Sequence, residues 1–126
     1  MVKALVVEDE QDIRNLLVEQ LLDRGCQVRK ADNGAVALQR VKEEIPDIIF
    51  VDIVMPVMDG ILFVSELRKN PDTASIPVVL VSAINLPGLK SRAQMLGVHH
   101  LLAKPWVQAT LDRMLRINNE WEIPNV

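Results

Sequence analysis

The sequence predicts an α/β protein with a doubly wound parallel sheet of five strands and five helices. Three observations support this fold class. Short apolar segments alternate with segments of helical periodicity five times along the chain. The apolar segments are mostly continuous rather than interrupted by polar residues, which is typical of parallel strands covered on both faces. Finally, 126 residues accommodate five such units, too few for the closed barrel of eight.

The predicted strands are short and, with one exception, apolar. The exception is QVRKA, whose half-polar pattern is expected of an edge strand. The other four are KALVV, DIIFVD, PVVLVSA and a brief strand at residues 99–103. Each strand is followed by a helical segment, so the order along the chain is a strand and then a helix, repeated five times.

Helical periodicity and end signals place the helices between these strands. The first helix, over residues 11–24, has an apolar stripe that includes Leu16, and Gly25 is expected to end it. Asn33 is expected to cap the second helix, whose inward-facing residues include Ile45. The remaining helices are predicted at residues 60–69, near 88–96 and from about 106 to 119.

The composition is that of a globular protein with a slightly acidic balance. The chain is 49% apolar and 25% charged, and its formal net charge is −3. No run of Lys or Arg forms a basic face, so we expect no nucleic-acid binding by this domain. The apolar run at the start of the chain is too short for a signal peptide or a membrane span. The single cysteine, Cys26, fits a reducing compartment, and we expect a cytoplasmic protein that does not insert into membranes.

The chain shows no internal repeat, low-complexity tract or interdomain linker. We therefore predict one domain over residues 1–119, followed by a C-terminal tail at residues 120–126 that contains a proline.

Polar side chains stand where the predicted strands end. In an open parallel sheet, ligands bind outside the carboxyl ends of the strands, so these residues are expected to converge. They are Glu8 and Asp9 after the first strand, Asp52 at the end of the third, Ser82 at the end of the fourth and Lys104 just beyond the fifth.

This set of residues favours divalent-cation and phosphoryl chemistry. Three adjacent carboxylates repel one another unless a cation lies among them, and carboxylate oxygens suit Mg²⁺. A carboxylate placed beside that cation can attack phosphorus, while Lys104 and Ser82 would contact the transferring oxygens. Each residue alone has a simpler interpretation, such as a helix cap for Asp9 or a solvated surface charge for Lys104. Their joint location reverses that preference.

The motifs resemble those of a known family. Glu8-Asp9, Asp52 followed by Met55-Pro56 and Asp59-Gly60, Ser82-Ala83, and Lys104-Pro105 occur in the order typical of the receiver domain of two-component response regulators. The resemblance covers nearly the full length of the chain and is strongest to single-domain chemotaxis response regulators. It implies a flavodoxin-like sheet with the strand order 2-1-3-4-5.

The resemblance also implies roles for individual residues. Asp52 would accept a phosphoryl group from a histidine kinase or phosphotransfer protein, and Ser82 and Lys104 would contact that group. Mg²⁺, or Mn²⁺, would be held by Glu8, Asp9, Asp52 and the backbone carbonyl of Val54. Such a domain catalyses only its own phosphorylation and dephosphorylation, so we expect no other enzymatic activity.

Further expectations concern the structural and output residues. By resemblance, Gly60 and Pro105 have structural roles, and the Lys-Pro peptide is expected to be cis. Phosphorylation would switch the face formed by the fourth helix, fifth strand and fifth helix, where a downstream protein target or a second copy of the chain would bind. Ser82 and Leu101 are the expected switch positions, although the family usually has an aromatic residue where this chain has Leu101.

Four alternatives remain beside this hypothesis. A metabolic phosphatase with an aspartyl nucleophile commonly has a second Asp two residues later, where this chain has Val54. A dinucleotide or flavin protein is disfavoured because the first strand-helix turn, VVEDEQD, is acidic and lacks glycine. The others are a receiver-like interaction module whose output does not depend on phosphorylation, and a fragment of a larger DNA-binding or enzymatic regulator.

Overall fold

A computed structural model describes residues 1–83 and 88–116 of the chain. The strands are β1 (Lys3–Val7), β2 (Gln27–Ala31), β3 (Ile48–Asp52), β4 (Val78–Ser82) and β5 (His100–Ala103). The helices are α1 (Gln11–Asp23), α2 (Gly34–Glu43), α3 (Gly60–Lys69), α4 (Leu89–Met95) and α5 (Gln108–Leu115). In these residues, no helix is long and apolar enough to cross a membrane.

The five strands form one parallel sheet in the order β2-β1-β3-β4-β5. The predicted fold class and strand order are therefore confirmed. Val7 at the end of β1 pairs with Val51 of β3, and Asp52 pairs with Val81 of β4. Because these strands end almost level with one another, the residues that follow them meet at one edge of the sheet.

The core lies on both faces of the sheet, as the continuous apolar strands predict. Alternate residues of a strand point to opposite faces, so Ile49 and Val51 pack toward α2, α3 and α4, whereas Ile48 and Phe50 pack toward α1 and α5. Every residue of β3 is buried, including Asp52. The edge strand β2 is only partly buried, in agreement with its half-polar sequence.

Two predicted helix starts are formed by side-chain caps. The Asn33 side chain accepts a hydrogen bond of 2.9 Å from the Val36 backbone amide at the start of α2. The Asp59 side chain accepts one of 2.8 Å from the Leu62 amide at the start of α3. These bonds satisfy amides that lack partners within their helices, and they fix where α2 and α3 begin.

Some details of the predicted helices are wrong. Leu16 is 44% exposed because the buried residues of α1, Leu17 and Leu21, lie four apart on the adjacent stripe. Ile45 is 49% exposed because α2 ends at Glu43, before the helix could turn that residue inward. The last helix begins at Gln108 rather than near residue 106, and residues 117–119 and the predicted tail lie outside the described residues.

Candidate functional site

Three carboxylates meet at the carboxyl edge of the sheet. Glu8 and Asp9 follow β1 and Asp52 ends β3, and each offers a ligand oxygen within 4.8 Å of the others. Glu8 and Asp52 are only 3% and 8% exposed, whereas Asp9 faces solvent. Two buried acids at one place need compensating charge or hydrogen bonds, because burial disfavours unpaired carboxylates.

Lys104 supplies part of that compensation. Its ammonium lies 2.6 Å from Glu8 Oε1 and 3.4 Å from Asp52 Oδ2, and its side chain is 14% exposed. Burial alone would lower the pKa of Lys104, but the hydrogen bond to Glu8 and the charges of Asp52 and Glu8 outweigh it and raise that pKa. Lys104 is therefore a charged member of the cluster rather than a solvated surface residue.

The second oxygen of each buried acid binds a backbone amide. Glu8 Oε2 accepts a hydrogen bond of 3.2 Å from the amide of Glu10. Asp52 Oδ1 accepts one of 2.8 Å from the amide of Ile53. Each carboxylate is thus held at both oxygens, and the Asp52 oxygen that faces Lys104 is Oδ2.

The donor set of this cluster fits a hard divalent cation. Although Asp9 is exposed, loss of some solvent around its carboxyl group and a hydrogen bond with Glu8 raise the pKa of Asp9. With one ammonium among three acids, the cluster keeps a formal negative charge that one divalent cation would offset. Oxygen ligands of this kind are those that Mg²⁺ and Mn²⁺ prefer.

Ser82 reaches the same edge of the sheet through the last residue of β4. It pairs with Ala103 in β5, and its backbone carbonyl accepts a hydrogen bond of 2.8 Å from the Lys104 amide. The side chain of Ser82 is half-buried. The strand end that carries Ser82 is therefore joined directly to the segment that carries Lys104.

Two residues shape the backbone around the acids. A Cβ atom on Gly60 would lie 2.1 Å from the Asp52 carbonyl oxygen, and the Gly60 amide donates to the Ile53 carbonyl at 2.9 Å. Only glycine permits this approach of α3 to the end of β3. The Lys104-Pro105 peptide is cis, as the resemblance implied.

The sequence matches the family described as the response regulator receiver domain over residues 4–116. The chain belongs to this family. Its receiver fold and its place in two-component signalling follow from that match together with the sheet order and the acidic cluster.

Three known proteins illustrate the range of its relatives. PilH of Pseudomonas aeruginosa is 32% identical over 88% of this chain and 92% of that protein. The probable transcriptional regulator ycf27 of Guillardia theta is 32% identical over 90% of this chain, which spans only 44% of that longer protein. The solved receiver domain of the sensor histidine kinase PA1611 from Pseudomonas aeruginosa, described with a magnesium ion in its active site cleft, superposes with a TM-score of 0.83. It is 27% identical, and the match covers 91% of this chain and 94% of that one.

Leu101 occupies the predicted switch position of this receiver domain. It lies within β5 opposite Leu80, is half-buried, and packs against the hydrophobic cluster on the face of α2, α3 and α4. A leucine there has no ring and no hydroxyl to exchange between buried and exposed positions. Val54, two residues beyond Asp52, extends its side chain into solvent with 73% exposure.

Sequence reasoning missed one residue of the site, Arg14 in α1. Its guanidinium donates hydrogen bonds to the backbone carbonyls of Glu8 and Asp9. No motif marks an arginine that acts through carbonyl groups, because helical periodicity only places it on the polar side of the stripe. Its position one turn into the helix that follows the two acids is the only signal that could have indicated it.

Proposed function

We propose that this receiver domain is a phosphorylation switch that accepts a phosphoryl group on Asp52 in a Mg²⁺-dependent reaction. The donor would be a histidine kinase or a phosphotransfer protein. The observation that carries the proposal is the position of Asp52: a buried carboxylate with one oxygen bound to an amide and the other 3.4 Å from an ammonium, beside two further acids.

The chain's own residues suit the transfer of a phosphoryl group. An oxygen of Asp52 would form a bond to phosphorus as the bond between phosphorus and the donor's histidine nitrogen breaks, and that nitrogen keeps the electron pair. The product is an acyl phosphate on Asp52. Lys104, already at the cluster, would pair with a phosphoryl oxygen, and Ser82 would donate a hydrogen bond to another.

Glu8, Asp9, Asp52 and the backbone carbonyl of Val54 would hold the metal ion. Mg²⁺, or Mn²⁺, would offset the charge of the acids and of the transferring oxygens. The acidic cluster supports this assignment, and so does the similarity to a receiver domain described with magnesium in its active site cleft. Asp9, the most exposed of the three acids, is the one that the cation reaches most directly from solvent.

The output of the switch would be a change in the face formed by α4, β5 and α5. A downstream protein target, or a second copy of the chain, would bind there, and the domain would have no catalytic activity beyond its own phosphorylation and dephosphorylation. The cytoplasm, where histidine kinases phosphorylate their partners, is the proposed location.

Leu101 favours a second candidate function. Without an aromatic residue at that position, the domain could serve as an interaction module whose binding does not depend on phosphorylation. The ycf27 relative, of which this chain spans 44%, also allows a third case, in which the domain regulates further domains of a longer protein. The interaction module predicts that target binding is the same before and after phosphorylation of Asp52. The longer regulator predicts that the output requires another domain.

Intact-mass spectrometry tests the proposal directly. We expect the protein to gain one phosphoryl group when it is incubated with acetyl phosphate and Mg²⁺, and to gain none when EDTA is added. The Asp52→Asn variant should gain none in either condition, since it lacks the acceptor oxygen. Asp72→Asn, which removes an exposed carboxylate in the loop after α3, is the matched control and should be modified like the wild type. Equal modification of Asp52→Asn and wild type would disprove the assignment of Asp52.

A further inference from the structure

Arg14 lies one turn into α1 and reaches back to the loop that carries two of the acids. Its Nη1 donates to the Glu8 carbonyl at 3.0 Å and to the Asp9 carbonyl at 3.4 Å. The backbone amide of Arg14 donates to the Glu10 carbonyl at 2.9 Å. One side chain therefore binds both peptide groups from which the acidic side chains project.

The guanidinium of Arg14 has no carboxylate partner among the ion pairs of residues 1–83 and 88–116. This is notable because three acids lie on the same loop and the adjacent strand end. The side chain is half-buried, so its charge is only partly solvated. Its bonds go to carbonyl groups, which serves to fix the backbone rather than to neutralise an acid.

The loop has few other restraints at this point. The Glu8 amide donates to the Ala31 carbonyl at 3.0 Å, which continues the sheet by one residue, and Glu8 Oε2 accepts from the Glu10 amide. If the peptide groups that contain the Glu8 and Asp9 carbonyls rotated, the side chains of these two acids would move apart. The guanidinium of Arg14, a rigid and planar donor group, binds both of these carbonyls and would oppose that rotation.

From this geometry we infer that Arg14 is a positioning residue for the cation site, one that holds Glu8 and Asp9 in the orientation that lets them share a divalent ion with Asp52. The inference rests on the proposed metal-dependent function. Removing a group that hydrogen-bonds to metal ligands and orients them typically weakens metal binding by about tenfold or more.

A simple charge argument makes the opposite prediction. A guanidinium near the site repels a divalent cation, so its removal would tighten metal binding if charge dominated. If positioning dominates, its removal weakens binding. The sign of the change therefore distinguishes the two effects.

Mn²⁺ titration followed by electron paramagnetic resonance measures free Mn²⁺ and needs no phosphorylation. We expect the Mn²⁺ dissociation constant to rise about tenfold in Arg14→Met. Arg14→Lys, whose ammonium keeps the charge and can donate to one carbonyl at a time, should fall between Arg14→Met and wild type. Arg24→Met is the matched control. Arg24 directly follows the last residue of α1 and also binds a backbone carbonyl, that of Gln20, but it pairs with Asp112 on α5, so its loss should leave Mn²⁺ affinity unchanged.

Each outcome decides between the two explanations. Unchanged or tighter Mn²⁺ binding in Arg14→Met would overturn the positioning role, and so would an equal loss of affinity in Arg24→Met, which would show that loosening α1 anywhere has the same effect. Failure of the wild type to bind Mn²⁺ at all would instead contradict the proposed function. A urea unfolding curve for each variant confirms that the titrated protein is folded.

Discussion

At the scale of the residue, the position of Asp52 depends on the absence of a side chain at Gly60. A Cβ atom at residue 60 would lie 2.1 Å from the Asp52 carbonyl oxygen and 3.0 Å from the Ile53 Cα. Both neighbours are backbone atoms, so neither can rotate away. The sequence predicted a helix that begins at Gly60, which is correct, but the contact of Gly60 with Asp52 is visible only in three dimensions.

We predict that Gly60→Ala lowers the free energy of unfolding by about 3 kcal/mol, because the end of β3 or the start of α3 must shift to admit a methyl group. The measurement is urea-induced unfolding. The same shift moves Asp52 away from Lys104, so phosphorylation by acetyl phosphate should slow as well.

Gly25→Ala is the control for this prediction. Gly25 has a φ of +84° but nothing within 4 Å of an added Cβ, so the substitution tests left-handed backbone strain alone, which costs about 1 kcal/mol. A Gly60→Ala variant no less stable than Gly25→Ala, with normal phosphorylation, would show that β3 and α3 are not held as closely as described.

At the scale of the element, Arg68 joins α3 to the segments on either side of β4. Its guanidinium donates to the carbonyls of Ala74 and Ile76, both at 2.9 Å, in the connection that leads into β4, and to the Leu96 carbonyl at 2.7 Å at the end of α4. Burial lowers the pKa of Arg68, in keeping with its half-buried position. This arginine thus anchors α4, an element of the proposed output face.

Arg68→Met should destabilise the protein by about 2 kcal/mol, since three partly buried carbonyls lose a charged donor while most of the apolar stem is kept. We further expect faster amide hydrogen exchange at the end of α4 than in the wild type. Lys69→Met, next to it on α3, removes only an exposed 3.4 Å ion pair with Glu66 and should change stability by less than about 0.5 kcal/mol. Similar stability of the two variants would contradict the anchoring role.

At the scale of the whole molecule, the sequence predicted the fold well because the residue types in each strand indicate whether the strand is buried on both faces. Short continuous apolar runs are typical of strands covered on both faces, and β3, with all five residues buried, is such a strand. The convergence of Glu8, Asp9, Asp52 and Lys104 was predictable for the same reason, since parallel strands bring their carboxyl ends to one edge.

What the sequence could not predict depends on contacts between distant segments. Leu16 matches the apolar pattern of α1 but is exposed. The pattern alone does not predict how much of the apolar stripe of a helix the sheet covers. The partners of the two carboxylate oxygens of Glu8, and the hydrogen bonds from Arg14 to backbone carbonyls, can be recognised only from the positions of the atoms. The indole of Trp106 donates to the Gln20 side chain at 2.6 Å, a contact across 86 residues that no local pattern encodes.

The central claim is that acids from the ends of β1 and β3 form one divalent-cation site, and linkage between Mg²⁺ and folding tests it most directly. A ligand that binds only the folded protein stabilises it by about 2.7 kcal/mol at a hundred times its dissociation constant. We predict that the free energy of unfolding in urea rises with Mg²⁺ concentration in the wild type and in Asp12→Asn, which removes an exposed acid from the first turn of α1. In Asp9→Asn the Mg²⁺-dependent gain should be largely lost. An equal gain in Asp9→Asn, or no gain in the wild type, would contradict the account.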